Sequence, residues 1–381
     1  MLQRMDTSYH PELAPKRRGS WLIATPLILV LVAAAAWTAV WFYAAGRAET
    51  LVNDWRTQQA RAGRVFSCAE QRIGGFPFRI EVHCNGAGVE LKDTQPALAI
   101  KLKEIIVVAQ VWDPKLMIAE FTGPLTAAEV GQQKPFTFEW TLAQASVRGT
   151  PSVPERASIA IDGLKVSEPG RPLMEAQHAE FHARVQFGSW PHNPAIDLAV
   201  SLKAATAASL SPFLSVPTDA DITAVLHGLK DLKPKPMPAR LREWQAASGR
   251  VEIQKSRLAQ GDSLATATGT LALTKSGRLD GTLQVTAAGL ERFVPALGGN
   301  RDPAIAASPA LGAIERAVPQ LGGALRPQPQ QPPNALQTGL LALLGKPAEL
   351  EGKRAVVMPL AFVDGAVKLG PIPVGTVPPL F

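Results

Sequence analysis

Two histidines, His178 and His182, have the spacing that comes nearest to a metal site. The intervening glutamate is Glu180, which is not the position that the zinc-binding pattern His-Glu-x-x-His requires. The segment alternates apolar and polar residues and therefore predicts a strand. Four residues of a strand span about 13 Å, too far for both rings to bind one ion at about 2 Å each. We predict no metal centre and interpret both histidines as solvated side chains on the polar face of a strand.

A nucleophile phrase lies at Gly261-Asp262-Ser263-Leu264, which resembles the GDSL signature of a family of esterases and lipases. That resemblance implies a serine nucleophile with a histidine base near the C-terminus. No histidine follows His227 in this sequence, so the base is missing. The phrase also lies between two predicted strands, where Gly-Asp-Ser is a common turn. Because no Gly-x-Ser-x-Gly elbow or phosphate-binding glycine loop occurs either, we predict no enzyme activity and no cofactor.

The chain has two cysteines, Cys68 and Cys84. They cannot complete the four-ligand shell of zinc, and no histidine pair is spaced to help them. In an oxidising compartment they would form a disulfide, which closes a loop of about 16 residues and stabilises the fold by roughly 3 kcal/mol. Two buried, reduced thiols are the alternative.

The elements that carry these residues are predicted from composition and periodicity. Hydrophobic residues make up 46% of the 381, and charged residues 19%, which excludes global disorder. The net charge of +7 is spread along the chain and does not indicate a nucleic-acid partner. Glycine and proline are frequent, as in proteins with many short strands and turns.

An uncharged stretch from Trp21 to Tyr43 predicts a membrane helix, because it would span roughly 34 Å. Basic residues 16–18 precede it and Arg47 alone follows closely, so the N-terminus is expected in the cytoplasm. We predict a protein of the bacterial inner membrane. Its predicted order is a cytoplasmic tail (1–20), a transmembrane helix (21–45), a periplasmic helical stalk (46–64) and a periplasmic β domain (65–381). A signal peptide cleaved near Ala44 and Ala45 is the alternative.

From residue 65 onward the apolar residues recur with a period of two, which predicts a mainly β fold. We expect one large, curved antiparallel sheet, groove-like or barrel-like, with short capping helices. Leu271 and Leu273 are predicted to oppose Leu283 and Val285 in a hairpin. Short helices are predicted at 290–297 and 336–344, with a flexible Pro/Gln-rich insertion at about 322–334.

One phrase is more specific than the others, Gly74-Gly75-Phe76-Pro77-Phe78-Arg79, followed by Cys84. With the N-terminal anchor and the ending at 362–375, it resembles the bacterial family called domain of unknown function 2125. The resemblance implies a single-pass inner-membrane protein that faces the periplasm, and implies no activity. We interpret the phrase as a corner that packs both phenylalanines into the core, with rings that line a lipid groove as the alternative.

Two further segments, residues 269–286 and the turn at Asp364-Gly365, are similar to repeated β phrases of AsmA-like envelope proteins. That similarity implies a role in lipid homeostasis or transport. A long sheet with one apolar face must cover that face or offer it to an apolar ligand. We therefore predict a protein that binds membrane lipid or another hydrophobic envelope component. The alternative is a structural module with a closed core that binds another envelope protein. The residues predicted to line the hydrophobic groove are Phe181, Val185, Phe187, Leu198 and Val200.

Overall fold

The structure is a computed structural model of the whole chain. Its described residues are 20–94, 96–131, 135–150, 154–189, 194–209, 212–232, 235–289, 345–369 and 372–381. The helices predicted at 290–297 and 336–344 and the insertion predicted at 322–334 lie outside these ranges.

A single long helix, α1 (Ser20–Arg61), begins the described chain and has 42 residues. It is apolar enough to cross a membrane, with a mean hydropathy of 2.1 in its most apolar window. The helix continues without a break into the segment predicted as a stalk. It ends in a turn at Gly63, whose backbone has φ +81°. Glycine adopts this left-handed conformation without strain, so the chain can reverse here into the first strand.

In the described part of the chain, seventeen strands in one sheet follow α1. Their bounds in the first half are β1 (Arg64–Gly74), β2 (Arg79–Leu91), β3 (Leu98–Gln110), β4 (Asp113–Glu129), β5 (Phe136–Glu139), β6 (Leu142–Gly149), β7 (Pro154–Glu168), β8 (Arg171–Val185) and β9 (Ala195–Ala205). The second half contains β10 (Thr218–His227), β11 (Arg250–Gln260), β12 (Ser263–Leu273), β13 (Leu279–Ala288), β14 (Lys346–Leu350), β15 (Lys353–Val363), β16 (Ala366–Leu369) and β17 (Ile372–Thr376).

The sheet is an antiparallel meander in which nearly every strand pairs with the next one along the chain. The two short strands β5 and β6 lie one after the other between β4 and β7, and each of them pairs with both. Strand β15 pairs with β13 on one side and with β14 and β16 on the other. The mainly β, antiparallel prediction is confirmed. No ladder joins β1 to β17 within the described ranges, so the barrel-like form is not confirmed.

The hairpin of β12 and β13 has a different register from the predicted one. Leu271 lies opposite Gly281 and Leu273 opposite Leu279. The predicted opposition of Leu271 and Leu273 to Leu283 and Val285 is therefore wrong. The turn is shorter than the alternation suggests, because Thr274 and Arg278 already close it with a backbone hydrogen bond of 2.9 Å. The length of the turn fixes the register of a hairpin, so the pairing shifts with it.

A short second helix, α2 (Met237–Ala246), lies in the connection between β10 and β11. A 3-10 turn (Pro212–Ser215) lies in the connection before β10. Trp244 fixes α2 to the end of the sheet, since its indole N–H donates to the carbonyl of His227 at 2.6 Å. The indole lies so close to Gly249 that a Cβ there would be 2.2 Å from the indole nitrogen. Only glycine fits at that position.

Packing in the described part of the chain is shallow for a protein of this size. No large side chain there is fully buried, and the main cluster of buried residues consists of Leu264, Ala288 and Ala355. A closed sandwich or barrel would enclose large aliphatic and aromatic side chains. The described residues therefore do not enclose a closed interior of large side chains.

Candidate functional site: an apolar sheet face

Strand register assigns each residue to one of two faces of the sheet. Residues directly opposite each other on antiparallel strands project to the same face, and residues two apart in one strand do so as well. We call a row of directly paired residues across the sheet a rung.

The central rung crosses the sheet from β1 to β15 and is apolar at every position but one. It consists of Ile73, Val82, Val107, Ala119, Ala145, Ile159, Phe181, Val200, Ile222, Ser256, Ala267, Val285 and Met358. The exception, Ser256, donates its hydroxyl to the carbonyl of Ala267 at 3.0 Å. Its polar group is satisfied within the sheet, so this rung leaves no hydrogen-bonding group for a ligand to satisfy.

The next rung on the same face lies two residues nearer the end of the sheet that contains the 74–79 turn, and we call it the end rung. It consists of Ile80, Ala109, Met117, Val147, Ala157, Ala183, Leu198, Ala224, Ile253, Gly269, Leu283, Leu360 and Leu369. All its side chains are apolar. Together the two rungs define what we call the apolar face.

The opposite face is polar, as the rung next to the central rung, on the side away from the end rung, shows. It contains Arg72, His83, Ile106, Glu120, Gln144, Ala160, Glu180, Ser201, Asp221, Arg257, Thr266, Thr286 and Val357. Many of its charges are paired, such as Asp221 with Lys203 at 2.8 Å and Arg257 with Glu351 at 2.8 Å. This is the pattern of a face in contact with water.

Several large side chains of the apolar face are accessible. Phe181 is 40% exposed, Val147 44% and Met117 42%. The contacts of α1 with the sheet concentrate on β1 and β2, at one edge. Adjacent exposed apolar side chains of this size are typical of a surface that binds another apolar body.

Four of the five predicted groove residues lie together on the apolar face. Phe181 lies directly opposite Val200, Leu198 lies in the next row of the same face, and Val185 lies in the row after that. Phe187 was expected with them but lies beyond the end of β8 with its ring fully exposed. The strand ends at Val185 because Ser189 turns back to the carbonyl of Gln186 and Gly188 takes φ +74°.

The two cysteines form a disulfide that joins β1 to β2. The Cα atoms of Cys68 and Cys84 are 5.6 Å apart and no free cysteine exists in the chain. The predicted bridge is therefore confirmed, and the alternative of two reduced thiols is wrong. Cys84 lies next to Val82 of the central rung, directly opposite Ile105 of β3. The bridge therefore stabilises the hairpin at the edge of the apolar face.

The phrase at 74–79 forms the turn between β1 and β2, and it packs against α1. The indole N–H of Trp37 donates to the carbonyl of Pro77 at 2.8 Å, and that of Trp41 donates to the carbonyl of Arg79 at 2.9 Å. Gly75 has φ +95°, and a Cβ there would lie 2.5 Å from the carbonyl oxygen of Arg79. The predicted tight turn at the glycines therefore has a steric cause.

Both phenylalanines of this turn are exposed, which contradicts their predicted place in the core. Phe76 is 53% exposed and packs edge-on against Trp41, with ring centroids 5.4 Å apart. Phe78 lies 6.5 Å from the ring of Trp37 and 6.2 Å from that of Trp112 in the β3–β4 turn. Trp37, Trp41 and Trp112 were not predicted as site residues. The only signal for Trp112 was a lone tryptophan before the Asp-Pro pair of a predicted turn.

The histidines considered for metal binding lie on the polar face. His178 contacts Asp162 at 2.5 Å and Glu180 at 2.9 Å, and these hydrogen bonds raise the pKa of His178 above 6.5. The hydrogen bonds from both histidines lower the pKa of Glu180. No group of three or more potential ligands gathers in the described part of the chain. The hydroxyl of Ser263, the nucleophile considered above, donates to the carbonyl of Gly289.

A depression of about 580 Å³ is lined mainly by residues of the polar face, together with Ala183, Leu198 and Ala224 of the end rung. Its lining includes Arg156, His182, Arg184 and Asp197. Arg184 and Asp197 pair at 2.7 Å. Hydrogen bonds from Gln186 and Arg184 lower the pKa of the Asp197 carboxyl. Its acidic group is thus already neutralised by the protein, so the depression does not present an unpaired carboxylate to a ligand.

Comparison with known proteins gives one match. The model of a family described as "uncharacterized protein conserved in bacteria (DUF2125)" matches residues 41–378. The match begins at Trp41, which holds the 74–79 turn. No curated protein and no solved structure matches the chain. The similarity to AsmA-like proteins therefore stays a prediction.

Proposed function

Because the chain belongs to the family described as uncharacterized protein conserved in bacteria (DUF2125), whose description states no activity, we propose a function from the geometry of the sheet. The apolar face binds the acyl chains of membrane lipid, and α1 holds the sheet at the bacterial inner membrane, with the sheet on the periplasmic side.

The observation that supports lipid binding is the composition of the two apolar rungs. A row of paired residues that runs through more than ten strands without a charge gives an apolar surface of the kind an acyl chain prefers to water. The neighbouring polar rung makes the contrast sharp, since the two sets alternate along the same strands. Exposed side chains such as Phe181 and Val147 would lose contact with water on lipid binding.

Three observations support the anchor and the compartment. The helix α1 is long and apolar enough to span a bilayer. The disulfide Cys68–Cys84 is typical of proteins in oxidising compartments such as the periplasm. The excess of basic residues before the helix supports the same orientation, with the N-terminus in the cytoplasm.

The alternative, an envelope scaffold with a packed interior, has less support. Such an interior would bury large side chains completely. The described part of the chain contains no large side chain that is completely buried. No cofactor or enzymatic step belongs to the proposal, because the apolar face has no group that could carry one.

The test compares two substitutions in adjacent residues of β8 that project to opposite faces. Phe181→Glu places a carboxylate among acyl chains, whereas His182→Glu places one on the polar face. Full-length protein purified in detergent is examined by native mass spectrometry for bound phospholipid. A carboxylate is unfavourable among acyl chains. Each loss of about 1.4 kcal/mol in the free energy of lipid binding lowers the affinity tenfold, so Phe181→Glu should lose the lipid. His182→Glu should retain it.

A second readout does not depend on how either substitution affects folding. A benzophenone amino acid at position 181 should crosslink to phospholipid in membranes, and the same group at position 182 should not. Lipid around α1 is common to both proteins and cancels in the comparison. Equal lipid retention together with equal crosslinking at the two positions would refute the proposal.

A further inference from the structure

A cluster of aromatic side chains lies at the end of the sheet nearest the N-terminal half of α1. It consists of Phe76 and Phe78 in the β1–β2 turn and Trp112 in the β3–β4 turn, and we call it the turn cluster. These three side chains are among the exposed large hydrophobic residues, at 53%, 58% and 60%. The fold therefore leaves most of their ring surface in contact with solvent or another body.

The helix α1 fixes the depth of the turn cluster relative to the uncharged stretch 21–43. Trp37 and Trp41 donate their indole N–H groups to the backbone of residues 77 and 79. Both tryptophans belong to the uncharged stretch 21–43. At 1.5 Å per residue, Trp37 lies about 9 Å inside the end of that stretch. If the stretch spans the bilayer, the β1–β2 turn therefore lies at the level of the membrane surface or below it.

The chemistry of the two turns suits that level. Residues 73–78 and 111–112 contain no charged side chain. The charges that follow them are paired on the sheet side, Arg79 with Glu81 and Asp113 with Arg148. Aromatic rings prefer the boundary between headgroups and acyl chains. Phe76 and Phe42 also stack with ring centroids 6.3 Å apart, so the turn and the helix present one continuous aromatic surface.

We propose that the turn cluster inserts into the periplasmic leaflet of the membrane, so that the sheet stands on the bilayer by this end. The ligand of this surface is the lipid bilayer. The proposal rests on the membrane anchor proposed above, and it does not require lipid binding by the rest of the apolar face. It also gives lipid a path, because the end rung begins next to the turn cluster at Ile80, Ala109 and Met117.

The experiment measures the environment of the turn in a bilayer. The chain's two cysteines are disulfide-bonded, so a single introduced cysteine is the only free thiol. An environment-sensitive nitrobenzoxadiazole dye is attached to Trp112→Cys in the full chain. The matched control is Val130→Cys, which is similarly exposed at 56% but lies at the opposite end of β4. Both proteins are reconstituted into nanodiscs of phosphatidylethanolamine and phosphatidylglycerol, with and without doxyl-labelled lipid.

The dye at position 112 should emit at shorter wavelength than the dye at position 130, and doxyl lipid should quench most of its emission. Phe76→Cys should behave as position 112 does, which guards against a local effect of losing Trp112. Equal emission and equal quenching at positions 112 and 130 would overturn the proposal. A blue shift without quenching by lipid would also overturn it, since it would place the turn against protein. Neither result depends on the lipid retained by Phe181→Glu, so the two proposals fail separately.

Discussion

At the residue scale, the polar face of the sheet is organised by hydrogen-bonded charges, of which His178 is the clearest case. Its ring contacts two carboxylates, those of Asp162 on β7 and Glu180 on its own strand. Alternation along β8 predicted that this histidine faces water. The partner Asp162 could not be identified from the sequence, because cross-strand pairing brings it there from sixteen residues away.

We predict that His178 makes stability depend on pH. Its pKa in the folded protein is raised above 6.5, first by the hydrogen bond to Asp162 and then by that to Glu180. The contribution is therefore complete below the unfolded pKa and is lost as the pH rises through the folded pKa. The melting temperature of the wild type, followed by circular dichroism, should exceed that of His178→Gln by more in acid than in alkali. In Asp162→Asn this pH dependence should shrink. A difference between wild type and His178→Gln that is the same at every pH would contradict the prediction.

At the element scale, the hairpin of β1 and β2 connects α1 to the rest of the sheet. It has three separate constraints: the disulfide, the tryptophan hydrogen bonds to the turn, and the packing of Trp55 on Phe66, whose rings are 4.5 Å apart. The residue types at these positions were visible in the sequence. Their partnership was predicted only for the cysteines, where chemistry restricts the choice to one pair.

We predict that the double variant Cys68→Ser, Cys84→Ser is less stable than the wild type by about 3 kcal/mol, the loop-closure value for a bridge of this span. Urea unfolding monitored by circular dichroism measures the difference. Wild type treated with reductant should lose a similar amount, and the variant should be unaffected by reductant. If reduction leaves the urea midpoint of the wild type unchanged, the bridge does not stabilise the fold.

At the scale of the whole molecule, the fold class and the polarity of the two faces could be predicted from alternation alone, because period two is a local property of the chain. The register of the strand pairs could not be predicted in this way. Bulges in β11 and β4 and short turns such as Thr274–Arg278 shift the pairing, and these depend on backbone conformations that composition does not specify. Phe187 was expected on the apolar face but lies beyond it, because a turn sets the end of β8 and alternation does not reveal that turn.

We predict that the two ends of α1 lie on opposite sides of the membrane. Two single-cysteine variants, Ser8→Cys before α1 and Val130→Cys after it, are treated in intact spheroplasts with a membrane-impermeant maleimide. The reagent should label Val130→Cys and should leave Ser8→Cys unlabelled until the cells are lysed. The reverse pattern, or labelling of neither variant before lysis, would place the sheet in the cytoplasm and contradict the proposed compartment.

The meander has a consequence for biogenesis. Because almost every strand pairs with the one that precedes it in the chain, a newly added strand already finds its partner in place. If the sheet is exported as proposed, N-terminus first, the hairpin bound to α1 is the first template available. The sheet would then assemble in the order of its export, lengthening away from α1 one strand at a time.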